Sequence, residues 1–375
     1  MRKYITWVLC ILIPYIALAQ NKPTIAWDQS TLQQVSPIGA RGANYARMIQ
    51  LTNGNLICIY EGNGIECTTS NDLGKTWEKP ILVAPSGNGV NMAVPDILEL
   101  KDHSLLASYN PRPRKVNGAW DTTKHFGIRT KKSYDGGKTW QDERLVYEAS
   151  YKGDDGCWEP TQIQLPSGEI QLYFSNEAVY TKSNEQNISI FRSVDGGLTW
   201  TKDPQIVAFR PGHRDGMPIP IILNGTHELV FSIEDNAVGE FKPSIIRNSF
   251  DQNWKKPVGA NDPERTYALT TKLPDTVYAG APYLRQLHSG QTILSYQGTQ
   301  NRVRNWELAC MQVAIGDSDA KNFKTIEPPF TVPLAKHGLW NSLCILNDDT
   351  VIAVTSTNAY GNANAIWMIK GYLIK

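Results

Sequence analysis

Six stretches of the chain repeat one pattern of hydrophobic and polar positions: an alternating apolar run, a Gly/Asn/Asp turn, and a second apolar run. They are "YARMIQLTNGNLICIYE" from Tyr45, "VPDILELKDHSLLASYN" from Val94, "EPTQIQLPSGEIQLYFSNE" from Glu159, "MPIPIILNGTHELVFSIED" from Met217, "PYLRQLHSGQTILSYQG" from Pro282 and "LWNSLCILNDDTVIAVTST" from Leu339. Short runs of period-two alternation bounded by turn residues read as strands joined in hairpins. The leucines that anchor the hairpins, Leu51, Leu100, Leu165, Leu223, Leu287 and Leu346, stand 49, 65, 58, 64 and 59 residues apart. A repeat of that size filled by strands predicts propeller blades. The expected fold is therefore all-β, one six-bladed β-propeller over residues 20–375, with each hairpin forming the first two strands of a blade. "TIAWDQSTLQQV" near the N-terminus is expected to pair with "AIWMIKGYLIK" at the C-terminus and so close the last blade without an open edge.

A second repeat is shorter. "SNDLGKTW" (Ser70 to Trp77), "SYDGGKTW" (Ser133 to Trp140) and "SVDGGLTW" (Ser193 to Trp200) are near-copies, and "NSFDQNW" (Asn248 to Trp254) is a worn fourth. Glycine accepts a positive φ, Asp and Ser side chains satisfy turn amides locally, and the closing Trp packs beside the turn. The pattern resembles the Asp box (BNR repeat) of sialidases and related propellers, which implies a structural hairpin joining the third and fourth strands of a blade.

Blade topology sorts the polar residues between two faces. Two strands separate the first-hairpin turn from the octapeptide turn, so both turns lie on one face. The other face receives Asn44, Asp96, Glu159, Arg214, Asp215 and Tyr283 near first-strand starts, and Glu61, Asn110, Glu177, Glu234, Asp235 and Gln297 near second-strand ends. Carboxylates thus converge on the axial mouth, the natural ligand pocket of a propeller.

Composition narrows the function classes. The chain has 375 residues, 41% hydrophobic and 19% charged, with a formal net charge of +1, so neither nucleic acid nor an anionic membrane is an expected partner. Arg2 and Lys3, the apolar run "YITWVLCILIPYIALA" and the small residues Ala17 to Ala19 read as a secretory signal peptide over residues 1–19. An exported, periplasmic or secreted protein without membrane insertion after leader removal, and a monomer, is expected. Beyond Cys10 in the leader, Cys58, Cys67, Cys157, Cys310 and Cys344 are odd in number and lack CxxC spacing, leaving at most a bridge such as Cys58 to Cys67. His213 and His337 have no partner pattern, so no metal or cofactor is expected.

"YARMIQLTNG", "WEP" (Trp158 to Pro160) and "GMPIPIILNGTHELVFSIE" resemble stretches of glycoside hydrolase family 93, the exo-arabinanases of the sialidase superfamily. The resemblance implies a catalytic pair at Glu159 and Glu234, with Glu159 as acid/base and Glu234 as nucleophile in a retaining cleavage of a plant-type glycan such as α-1,5-L-arabinan. Paired carboxylates suit the reaction, one donating a proton to the leaving oxygen and the other acting at the anomeric carbon. The pair's separation, 234 − 159 = 75 residues, suits adjacent blades. Because Glu159 precedes Pro160, an extended backbone is expected there. Around the pair, Arg214 and Asp215 either bind sugar hydroxyls or form a salt bridge that ties down a loop. Trp158 and Tyr283 either stack on a sugar or pack between blades. Asp96 either tunes a carboxylate or caps a turn, and Asn44 and Glu177 complete the candidate substrate contacts. The loop "NPRPRKVNGAWDTTKHFG" (Asn110 to Gly127) walls the mouth, which favours exo action.

Two alternatives stay open. An exo-sialidase would need arginines for the sialate carboxylate. The aligned opening positions are instead Asn44, Tyr45 and Ala46, with Arg41, Arg47 and Arg285 at shifted positions. A non-catalytic carbohydrate-binding propeller would use the same mouth.

Overall fold

The computed structural model describes residues 23–38 and 42–374. The leader predicted over residues 1–19, and Arg41, lie outside the described residues. Among those described, six four-stranded antiparallel sheets and one two-stranded hairpin hold nearly all the regular secondary structure, and no helix is long and apolar enough to cross a membrane.

From the axis outward, blade I comprises Asn44–Gln50, Leu56–Glu61, Gly64–Ser70 and Ile81–Pro85, and blade II Val90–Glu99, Leu105–Pro113, Gly127–Ser133 and Gln141–Glu148. Blade III comprises Cys157–Gln164, Ile170–Asn176, Asn187–Ser193 and Gln205–Ala208, and blade IV Asp215–Ile222, Glu228–Asp235, Lys242–Ser249 and Arg265–Tyr267. Blade V comprises Ala279–Gln286, Thr292–Gly298, Cys310–Gly316 and Lys324–Ile326. Blade VI takes Gly338–Ile345, Val351–Thr357 and Ala365–Ile374 from the C-terminal end and Thr24–Gln34 from the N-terminal end. The ring is thus closed by pairing Thr24 with Ile374 through to Gln34 with Trp367, as the terminal patterns anticipate.

The core lies between blades rather than at one centre. Ile57, Ile59, Ile65 and Cys67 of blade I meet Ile97, Leu105 and Ala107 of blade II, and equivalent apolar clusters fill the other inter-blade spaces. Cys58 faces the cluster shared with blade VI while Cys67 faces the one shared with blade II. Alternation therefore puts the two thiols on opposite sides of the sheet, and the bridge left open by the sequence is absent: both cysteines are free and buried.

The three octapeptides have one hydrogen-bond pattern. Ser70, Ser133 and Ser193 Oγ accept the amides of Gly74, Gly137 and Gly197 at 2.8, 2.8 and 2.9 Å, and each hydroxyl donates to the Asp two residues on. Asp72, Asp135 and Asp195 in turn accept both the amide and the hydroxyl of Thr76, Thr139 and Thr199. Gly74, Gly137 and Gly197 have φ of 86°, 92° and 86° and lie against Leu56, Ile57 and Leu106, so the turns seal the spaces between blades. In the worn copy only the Trp persists in that role: Trp254 is fully buried, its amide held by Asn248 Oδ1.

Partial burial of Asp135 works to raise its carboxyl, yet the hydrogen bonds from Thr139 and Ser133 prevail and hold it down at about 2. A depressed carboxyl contributes stability that is present above its ordinary value and lost as pH falls toward the folded one. Asp135→Ala is expected to lower Tm by a few degrees at pH 7, with the deficit shrinking between about pH 4 and pH 2. Turnover per folded molecule should persist; thermal denaturation across that pH range, with an activity assay on the folded fraction, checks both.

Candidate active site

Each innermost strand carries the same irregularity near the mouth. The pairing register slips between Asn44 and Arg47, Ala93 and Asp96, Trp158 and Thr161, Gly216 and Ile219, Gly280 and Tyr283, and Leu339 and Ser342. At the centre of each slip one residue has positive φ: Tyr45 at 52°, Val94 at 52°, Glu159 at 51°, Met217 at 53°, Ala281 at 48° and Trp340 at 53°. These are β-bulges, which bend a strand and re-aim a side chain. The extended backbone expected for Glu159 from its following proline is overridden, because the bulge rather than local preference sets its φ.

Five of the bulge amides are capped by a side chain from the second strand of the preceding blade. Ser356 Oγ accepts from Tyr45 N at 3.0 Å, Glu61 Oε1 from Val94 N at 2.6 Å and Ser175 Oγ from Met217 N at 2.9 Å. Glu234 Oε2 accepts from Ala281 N at 2.8 Å and Gln297 Oε1 from Trp340 N at 2.9 Å. Asn110, at the equivalent place in blade II, instead donates to Gly127 O and Cys157 O at 2.6 and 3.0 Å.

Two rings result, one of bulge side chains and one of caps. Tyr45, Val94, Met217 and Ala281, with Trp340 packed against them, form a single apolar cluster. Glu159 is the sixth member, a carboxylate where the other blades place apolar groups. Glu234 belongs to the cap ring, one blade further on. It is lodged between two glycines: a Cβ at Gly216 would stand 3.0 Å from its Oε1, and a Cβ at Gly280 would stand 2.6 Å from its Oε2 and collide with the Tyr278 hydroxyl. Glycine at these positions makes room for the carboxylate.

Both glutamates border one open cavity of about 400 Å³, walled also by Trp158, Glu177, Arg214 and Phe241. Burial pushes the Glu159 carboxyl up, opposed by Arg112, whose Nη2 is 4.0 Å from Oε1, and by a hydrogen bond from Ser175. Only 19% of the Glu159 side chain is exposed. Burial, reinforced by the charge of Glu159, pushes Glu234 up to about 7. The charge of one carboxyl at the cavity disfavours the charged form of the other. Burial likewise raises Glu177 to about 7 against its ion pair with Arg214.

The remaining candidates separate. Trp158, Glu177 and Arg214 lie at the cavity, and Arg214 spends one nitrogen on Glu177, the tie-down alternative in a different pairing from the one anticipated. Asp215 is fully buried and faces away from the mouth: alternation turns it and its cross-strand partner Asp235 to the face opposite Glu234, where Arg265 bonds both at 2.6 and 3.0 Å. Two like charges side by side in the interior need that guanidinium between them. Tyr283 is also buried, under the guanidinium groups of Arg47 and Arg285 at 4.8 and 4.3 Å, because the bulge places it one layer deeper along the axis. Asp96 sits at the same depth and accepts from Thr161 Oγ1 and Gln162 N of the next blade, both at 3.1 Å, so it joins blades rather than capping a turn or facing the mouth. Asn44 stays at the rim, bonded to Asn364 and to Gly42 O, outside the cavity.

Sequence reasoning missed Arg112 and Tyr278. Arg112 lies 4.9 Å over the Trp158 ring and donates to Asn110 Oδ1 at 2.7 Å, which aims it at Glu159. Its signal was its place two residues after Asn110. For Tyr278 the signal was weaker, an aromatic two residues before the glycine that Glu234 needs.

No protein-family model and no curated protein matches the sequence. By fold, the chain is similar to a protein of unknown function from Dyadobacter fermentans, with TM-score 0.72 and 14% identity over 93% of this chain and 99% of that one. It is similar to the glycoside hydrolase family 93 α-L-arabinofuranosidase of Fusarium graminearum, solved with arabinobiose, with TM-score 0.69 and 18% identity over 91% of this chain and 97% of that one. It is also similar to the leech intramolecular trans-sialidase, with TM-score 0.61 and 11% identity over 91% of this chain and 70% of that one. The fold is a sialidase-like six-bladed propeller.

The raised Glu234 carboxyl has a consequence for stability. A group lifted in the folded state favours folding below its ordinary value and loses that contribution as pH rises through about 7. Glu234→Gln keeps an acceptor for Ala281 N without the charge, so its Tm should exceed that of the wild type by a few degrees at pH 8 and match it near pH 4. Differential scanning calorimetry at the two pH values reads the difference.

Proposed function

We propose that the protein is an exported, exo-acting glycoside hydrolase that cleaves terminal sugars from a plant-type glycan such as α-1,5-L-arabinan with retention. The observation that carries this reading is the coupled pair Glu159 and Glu234, set on adjacent blades in one cavity and both raised by burial. The fold shared with the family 93 arabinofuranosidase supports the choice of sugar.

In the first step Glu159 gives its proton to the glycosidic oxygen while Glu234 attacks the anomeric carbon. The carbon–oxygen bond to the leaving sugar breaks and an ester bond to Glu234 forms. Arg112 then faces the carboxylate that Glu159 has become and stabilises it. In the second step Glu159 takes a proton from water, the water oxygen displaces Glu234, and the sugar leaves with its original anomeric configuration.

The division of roles is the one the family resemblance implies. Burial is the main cause that raises Glu234 and the charge of Glu159 adds to it, so protonating Glu159 lowers Glu234 part of the way toward its ordinary value. The sialidase alternative is weaker because Arg214 at the cavity is neutralised by Glu177, leaving it less free to clamp a substrate carboxylate.

Hydrolysis of aryl α-L-arabinofuranoside, α-L-arabinobioside and α-sialoside by the wild type, Glu159→Gln and Glu234→Gln tests the reading. Arabinoside cleavage that falls by about 10²-fold or more in each variant, with Tm not lowered, is expected. Sialoside cleavage, or arabinoside cleavage indifferent to either substitution, overturns it.

A further inference from the structure

Beyond the cavity an arc of aromatic rings runs around the rim. Phe241, on the cavity wall, stands 6.4 Å from Tyr278; Tyr278 stands 6.5 Å from Trp306; Trp306 stands 6.0 Å from Trp340; and Trp340 stands 5.6 Å from Tyr45. The inner rings are buried or half-buried, but Trp306 is 46% exposed. A large indole left that open on a mouth loop wastes apolar area unless something covers it.

The loop that presents Trp306, between Thr292–Gly298 and Cys310–Gly316 of blade V, is firmly held. Arg302 donates to Leu308 O, Val332 O, Pro333 O and Lys336 O at 2.7, 2.9, 2.8 and 2.6 Å, which ties the loop to the segment leading into blade VI. Asn305 Oδ1 accepts from Glu307 N at 2.9 Å and fixes the turn in which Trp306 sits. A rigid, partly exposed aromatic face loses little entropy when a ligand covers it.

We propose that this arc, with Trp306 as its exposed member, is a second glycan subsite. Its ligand is the apolar C–H face of a sugar unit joined to the one held between Glu159 and Glu234, which makes the substrate an oligosaccharide rather than a lone glycoside. The occupant follows from continuity, since the arc begins at the cavity wall with Phe241 and passes Tyr278, whose hydroxyl neighbours the Glu234 carboxylate. The proposal rests on the glycosidase reading only for the sugar placed in the cavity.

The test is calorimetric binding to the catalytically disabled Glu159→Gln protein, alone and combined with Trp306→Ala, Trp306→Leu or Trp306→Phe. The ligands are arabino-, xylo-, galacto- and sialyl-oligosaccharides from disaccharide to pentasaccharide. The expected result is affinity that rises with length for at least one series. Trp306→Ala and Trp306→Leu should remove about tenfold of that gain, and Trp306→Phe should restore most of it. Leu keeps apolar bulk without a stacking face, so its failure to rescue separates stacking from loop packing, and Tm confirms that each variant folds. Length dependence unchanged by Trp306 substitution, or no binding of any series at millimolar concentration, overturns the subsite. If binding depends on Trp306 but the wild type cleaves nothing, the subsite stands and the hydrolase reading fails. If cleavage proceeds with no role for Trp306, the reverse holds.

Discussion

The mouth of this propeller depends on one repeated hydrogen bond, that of a bulge amide in one blade to a side chain from the blade before it. A bulge leaves a strand amide without its ladder partner, and a buried amide without a partner costs free energy of order 1–3 kcal/mol. Supplying that partner from the neighbouring blade satisfies the amide and links the blades at once. Glu234 fills the role for Ala281 as Glu61 does for Val94, so the carboxylate assigned to catalysis is also part of the fastening. Its position is set by the backbone of blade V as much as by its own strand, because the Ala281 amide fixes Oε2.

The bulge also accounts for Glu159. In the other blades the residue at this place is Tyr45, Val94, Met217, Ala281 or Trp340, and together these close the axis with apolar contact. A carboxylate inserted in that ring is desolvated on most sides, and Arg112 arrives from blade II to offset part of the penalty. Burying an acid in an apolar ring works against stability, as does raising Glu234 beside it. The octapeptide turns on the opposite face favour folding through ionised, well-bonded carboxylates such as Asp135. The two faces therefore respond oppositely to pH: the mouth favours protonated carboxyls, the scaffold ionised ones.

Blade number, ring closure and the facing of the turns were legible in the sequence because they rest on period-two alternation and on spacing, which one chain carries explicitly. That Glu159 and Glu234 face one cavity agrees with the positions the family resemblance singled out. Side-chain direction near the bulges was less so, because an inserted residue shifts the parity on which alternation arguments depend. Hence Tyr283 sits below the mouth, whereas Asp215, read as a mouth residue, lies before the bulge and is turned against Arg265 by plain alternation. Placing Tyr45, Val94, Glu159, Met217, Ala281 and Trp340 in one column of the six repeats marks Glu159 as the odd member, a signal available without coordinates. The bond of Arg112 to Asn110 was out of reach, since it depends on the second strand of blade II running on past Asn110 to Pro113.

The central claim is that Glu234 forms a covalent bond to the sugar while Glu159 moves the proton. The most direct measurement is to trap the intermediate with an activated 2-fluoro glycoside of whichever sugar the substrate panel shows to be cleaved, and to locate the added mass by tandem mass spectrometry. The adduct is expected on Glu234 alone. An adduct on Glu159 or on Tyr278, or turnover with inversion and no adduct, would contradict it.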